Sequence, residues 1–113
     1  MEYPRPFLLN GRMQTYLTDE ERAHFQVRVY VLVCGGFFKI GIAADIQKRI
    51  AGLQTGNPQK IELFHDLSPM PRKDARRIEQ TAHRRLAEFK VHGEWFACTA
   101  EQAIAAIAGG LSL

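Results

Sequence analysis

The stretch Val27-Arg28-Val29-Tyr30-Val31-Leu32-Val33-Cys34-Gly35-Gly36-Phe37-Phe38-Lys39-Ile40-Gly41-Ile42 decides how the chain folds. Two β-rich runs flank Gly35-Gly36, the signature of a hairpin closed by a primed two-residue turn. With both glycines in the turn, Cys34 pairs with Phe37, Leu32 with Lys39 and Tyr30 with Gly41. Side chains alternate along a strand. Val27, Val29, Val31 and Val33 therefore share a core face with Phe38, Ile40 and Ile42. The other face carries Arg28, Tyr30 and Leu32 beside Phe37, Lys39 and Gly41. On that face Tyr30 and Lys39 are diagonal neighbours within reach of each other, and Gly41 leaves space beside them.

Outward from the hairpin, Asp45 is placed to N-cap a helix over 46–54. Ile46, Ile50 and Leu53 form its apolar face, with Arg49 on the same side. Such an arginine either extends its head group to solvent or points it at an anion. Thr55-Gly56-Asn57-Pro58 ends this helix. Residues 61–67 read as a third strand and 68–71 as a loop. The longest helix is predicted over 72–89, with Ala75, Ile78, Ala82, Leu86 and Phe89 buried. Arg72, Arg76, Glu79 and His83 stack beside that stripe at spacings of three and four. Gly93-Glu94-Trp95-Phe96 reads as an aromatic strand or turn. An Ala-rich helix over 100–108 follows, stopped by Gly109-Gly110. On the N-terminal side, residues 1–17 read as an irregular arm, and Thr18-Asp19-Glu20-Glu21 is a capping-box pattern that predicts a short helix ending near Phe25.

With 113 residues, 46% apolar and 24% charged, the chain has the composition of one soluble globular domain. It contains no apolar run long enough to span a membrane. Its N-terminus lacks the layout of a signal peptide, so a cytoplasmic protein is expected. Cys34 and Cys98 have no metal-ligand spacing and read as reduced, small hydrophobes. The net charge of +3 is concentrated in residues 71–90, where seven basic residues oppose three acidic ones. Arg72, Arg76, Arg84 and Arg85 could bind a phosphate backbone or form a solvated helix face, and charge alone does not separate the two.

Tyr30, Lys39, Arg49 and Glu79 are the candidates for chemistry. Each also has a plain structural reading: a sheet tyrosine, an edge-strand charge, a snorkelling arginine, and an intrahelical partner of Arg76 or His83. Together, in order, they resemble the GIY-YIG nuclease superfamily. Val29-Tyr30-Val31 stands where that family has its first triplet. Lys39-Ile40-Gly41 stands at the second, as in the phage and bacterial subgroup that carries KIG there. Arg49, Glu79, His83 and Gly93-Glu94-Trp95-Phe96 continue the pattern, which covers about residues 27–107.

The resemblance implies an α+β fold. It would have a small, mainly antiparallel three-stranded sheet flanked by helices in the order β-β-α-β-α. The nuclease domain would occupy 27–108, with 1–26 as an arm and short helix and 109–113 as a tail. It also implies a divalent-metal-dependent endonuclease that hydrolyses DNA, using Mg²⁺ or Mn²⁺. Glu79 would be the metal ligand, Tyr30 the general base or the orienter of the attacking water, and Arg49 the phosphate holder. His83 would be either a partner of the metal ligand or a structural histidine. Lys39 replaces the family's second tyrosine and is expected to lower the pKa of Tyr30. Leu53 occupies the position where the family often carries a helper histidine. The alternative is a nucleic-acid-binding module of the same fold with little activity. The 26 residues outside the pattern are too few for an independent DNA reader, so the expectation is nonspecific cleavage or a partner that supplies targeting.

Overall fold

Gln26–Cys34 (β3) and Phe37–Ala43 (β4) pair in the register counted from the sequence, with Tyr30 opposite Gly41 and Leu32 opposite Lys39. Gly35 and Gly36 both have positive φ, 55° and 87°, as a primed turn requires. The structure is a computed structural model that describes residues 7–9, 12–14 and 26–111. The helix predicted from Thr18 lies outside these residues.

In chain order the other described elements begin with Phe7–Leu9 (β1) and Arg12–Gln14 (β2). After the hairpin come Ile46–Gln54 (α1), Glu62–Asp66 (β5), Met70–Pro71 (β6) and Arg72–Arg85 (α2). A 3-10 turn at Ala87–Phe89 leads to Lys90–His92 (β7), Trp95–Phe96 (β8) and Ala100–Leu111 (α3). The main sheet has six antiparallel strands, ordered β5-β3-β4-β8-β7, with β6 paired to the start of β3. The expected three-stranded sheet is therefore too small. The added strands are two or three residues long, too short to show a period of two in the sequence. Met70–Pro71, expected as loop, is one of them. Residues 7–9 and 12–14, expected as irregular, form a separate two-stranded ladder.

Both faces of β3 are covered. Val27, Val29, Val31, Phe38, Ile40 and Phe96 pack beneath α2 and α3, against Ala75, Ile78, Ala82, Leu86, Ala103, Ala106 and Ile107. On the opposite face Tyr30, Leu32, Cys34 and Ala43 pack against Ile46 of α1 and Ile61. The Asp45 carboxylate accepts from the Lys48 amide at 3.0 Å and starts α1 where the sequence placed it. Lys39 lies on an inner strand, flanked by β3 and β8, so it is not an edge-strand charge.

Gly109-Gly110 does not stop the last helix, which continues to Leu111. The pair instead lets α3 approach α2 closely. A Cβ on Gly110 would lie 2.9 Å from the Ile78 Cα, whereas one on Gly109 would meet only the flexible Arg85 side chain. Alanine favours a helix over glycine by up to about 1 kcal/mol. Gly109→Ala should therefore hold or raise Tm. Gly110→Ala should lower it by about 4–8 °C, because overpacking against backbone outweighs propensity by roughly 1 kcal/mol. Thermal unfolding of the two variants side by side checks this contrast.

Candidate metal and phosphate site

β8 pairs with β4 only at Phe38 and Lys39, so beyond that point the outer edge of β4 is open to side chains from neighbouring elements. Three elements reach this gap. From β3, Tyr30 lies across Gly41: a Cβ on Gly41 would fall 2.6 Å from Tyr30 Cζ and closer still to the hydroxyl. From α2, Glu79 and His83 come one turn apart on a single face. From the turn before β8 comes Glu94.

Glu79, His83 and Glu94 each offer one ligand atom, all within 4.8 Å of one another. The ring orientation of His83 is set by Nε2, which lies 2.7 Å from the Ile40 carbonyl oxygen. A carbonyl only accepts, so Nε2 carries the proton and donates, leaving the Nδ1 lone pair available to a cation. His83 also packs at a tilt on Phe96, with ring centroids 5.4 Å apart.

Lys39 Nζ sits 3.4 Å from Glu94 Oε1 and 5.8 Å from the centre of the Trp95 ring. Its side chain is 11% exposed against 49% for Glu94, so this pair is partly shielded rather than a free surface contact. Arg49 is exposed on α1 and lines, with Lys48 and Arg72, a cavity of about 620 Å³. Asp45 also lines it, so three cations face one carboxylate, and this net positive lining suits an anionic ligand.

The electrostatics correct one expectation. Tyr30 is 2% exposed. That burial raises its pKa above the ordinary phenol value. Arg49 opposes the rise, and Glu94 and Glu79 add to it. Lys39 is committed to Glu94 and does not ionise Tyr30. At neutral pH Tyr30 is a protonated phenol, able to donate as well as accept a hydrogen bond.

Burial also raises the Glu79 carboxyl. His83 is the largest opposing influence, Glu94 adds to the rise, and Arg76 and Lys39 oppose it. A carboxyl raised in the fold costs stability while ionised, and that cost disappears as pH falls through the folded pKa. In the absence of divalent cations, Glu79→Gln should therefore raise Tm at neutral pH by about 2–4 °C. The gain should shrink as the pH approaches the carboxylate range, which paired melting curves across pH will test.

Tyr30, Lys39, Arg49, Glu79 and His83 thus converge on one region, with Arg72 and Arg76 on the same face of α2 as Glu79. Arg84 and Arg85 do not join them. Arg84 bonds Thr81 at 3.2 Å, and Arg85 lies against Gly109 of α3. Glu94 is marked in the sequence only as part of the Gly93-Glu94-Trp95-Phe96 stretch, with no role of its own. It lies 55 positions from Lys39, and only the β4–β8 pairing brings the two together.

Residues 15–109 match the family model of the T5orf172 domain. No curated protein and no solved structure matches the chain. The expected membership of the GIY-YIG superfamily is corrected by this match, which is to a different family model. The triplets behind that expectation consist of common strand residues and are not specific on their own. The T5orf172 match extends further toward the N-terminus than the expected domain start at residue 27 and covers most of the sequence. The chain therefore belongs to the T5orf172 domain family, a group associated with nucleases and DNA binding.

Proposed function

We propose that the protein is a divalent-cation-dependent endonuclease acting on DNA phosphodiester bonds. The observation that carries this reading is the convergence of Glu79, His83 and Glu94 beside Tyr30 and Arg49. Two carboxylates and one imidazole nitrogen suit a first-row divalent cation. The nitrogen donor favours Mn²⁺ over Mg²⁺, which prefers oxygen ligands. When bound, such a cation stabilises charge on the phosphate and on the leaving oxygen.

The chain's own side chains bind and orient. Arg49 offers a planar fork to two phosphate oxygens. Tyr30, held protonated by burial, accepts from the attacking water or donates to a phosphate oxygen. Lys39 keeps the Glu94 carboxylate turned toward Glu79 and His83. Hydrolysis joins the water oxygen to phosphorus and breaks one P–O ester bond, leaving a phosphate monoester and a hydroxyl.

The test is nicking of supercoiled plasmid with Mn²⁺ or Mg²⁺, comparing wild type with Glu79→Ala. Nicking by wild type alone supports the reading. DNA binding without nicking by either would reduce the chain to a binding module. A second measurement concerns the arginines. Replacing Arg72 or Arg76 with Ala should flatten the slope of log affinity against log salt by about 0.9 for each phosphate that the side chain had neutralised. Replacing Arg85, which faces α3, should leave that slope in place.

A further inference from the structure

The sheet face that carries Tyr30 and Lys39 continues toward the hairpin turn and ends in a second cavity, of about 350 Å³. The register puts Phe37, Lys39, Trp95 and His92 on this one face, since Lys39 pairs with Trp95 and Trp95 with His92. Phe37, Trp95 and His92 line the cavity from three strands, and Asn57 and Gln59 line it from the loop after α1. Phe37 is 40% exposed, so its ring is accessible at the mouth of the cavity.

Asn57 Oδ1 accepts from the Gln59 amide at 2.9 Å, so the side-chain NH₂ of Asn57 points elsewhere. The side-chain NH₂ groups of Asn57 and Gln59 have no hydrogen-bond partner among the described residues. The cavity therefore combines three aromatic rings, Cys34 and Val91 with two side-chain amides whose NH₂ groups are unclaimed by the described residues. Trp95 belongs both to this cavity and to the Lys39 cation–π contact. Phe37 and Lys39 are two residues apart on one strand, about 7 Å.

We propose that this cavity takes one unstacked nucleobase of the DNA strand whose phosphate lies at Arg49. The inference rests on the nuclease reading above and adds a substrate class to it. The occupant follows from continuity and charge. Along β4, Ala43 lines the cationic cavity that holds Arg49, Lys39 pairs with Glu94 of the acidic cluster at the strand's outer edge, and Phe37 lines the aromatic cavity, so the three follow one another in that order. A strand following that path presents phosphates first and a base last. Inside a duplex both faces of a base are covered by its neighbours. Aromatic walls can engage only a base that is already unpaired, at a single strand, a frayed end or a mismatch, or one extruded at a cost. The preferred substrate is therefore DNA with an unstacked position beside the cleaved bond.

Trp95 is the single tryptophan of the chain, so its fluorescence reads the cavity directly. Without divalent cation, wild-type protein is titrated with a short single-stranded oligodeoxynucleotide, an abasic strand of equal length, and the matching duplex. Anisotropy of labelled strands records binding in parallel. The expected result is quenching of Trp95 by the single strand, and none by the abasic strand although it binds at low salt. The duplex should bind with little quenching. Phe37→Ala should weaken single-strand binding by roughly 5- to 150-fold, the range for removal of one stacked base. Phe37→Leu, which keeps the hairpin packed but has no ring face, should weaken it similarly. Equal quenching by the abasic strand, or Phe37→Leu binding like wild type, overturns the base pocket while leaving the nuclease reading intact. If no strand binds at any salt, the base pocket is overturned, and the plasmid-nicking assay with Mn²⁺ decides the nuclease reading separately.

Discussion

Glu79→Gln should leave a folded protein whose plasmid nicking is lower by three orders of magnitude or more, about the effect of removing a central charge-stabilising group from such a site. The substitution keeps the shape of the side chain and removes its charge. Burial already disfavours that charge, so the fold loses nothing by the change. The test therefore separates chemistry from stability: activity should collapse while Tm holds or rises. Calorimetric titration with Mn²⁺ should show the same loss, since the proposed site draws on three donors that lie close together. Glu94→Gln should also lose cation affinity, but with a lower Tm, because it leaves the shielded Lys39 ammonium without its carboxylate partner. If Glu79→Gln nicks plasmid at the wild-type rate, the three-donor cluster is not the reaction centre.

Gly41→Val should cost at least about 100-fold in cleavage, through the position of one ring. The Tyr30 ring occupies the space a side chain at 41 would need, and β4 backbone holds that space on the other side. Tyr30 is also part of the smaller core, so displacing it should lower Tm as well. Tyr30→Phe separates the two consequences. It retains the packed ring, keeps Tm near wild type, and removes only the hydroxyl. The pH dependence distinguishes a protonated Tyr30 from a phenolate. With its pKa raised above about 10, Tyr30 stays protonated throughout the neutral range. Lys39→Met should therefore change the cleavage rate through Glu94 and should not shift an alkaline limb of the pH–rate profile. A limb that moves upward in the Lys39→Met variant would restore Lys39 as the group that ionises Tyr30.

The hairpin, its register and both its faces can be read from residues 27–42 because their causes are local. Two adjacent glycines place the turn, and a period of two then assigns every side chain. Asp45 with Ile46, Ile50 and Leu53 marks α1, and the spacing of Ala75, Ile78, Ala82 and Leu86 marks the buried side of α2, for the same reason. The stacking of Arg72, Arg76, Glu79 and His83 beside that stripe is also a matter of helical period alone.

What only the tertiary structure decides depends on which distant segments meet. Strands β6 and β7 are too short to carry a pattern, and the Trp95–Phe96 stretch reads locally as either strand or turn; they become strands because β6 pairs with β3, β8 with β4, and β7 in turn with β8. Gly109-Gly110 reads locally as a helix stop, yet its role is to let α3 approach Ile78 closely, which becomes visible only with α2 in place. Lys39 stands beside Tyr30 in the sequence-derived register, but its charge is taken up by Glu94, brought to it by a strand 55 residues away. Local periodicity determined which residues face the same way. Long-range pairing determined which charges meet, because electrostatic partners are set by distance in space, and sequence separation carries no information about that distance until the sheet has closed.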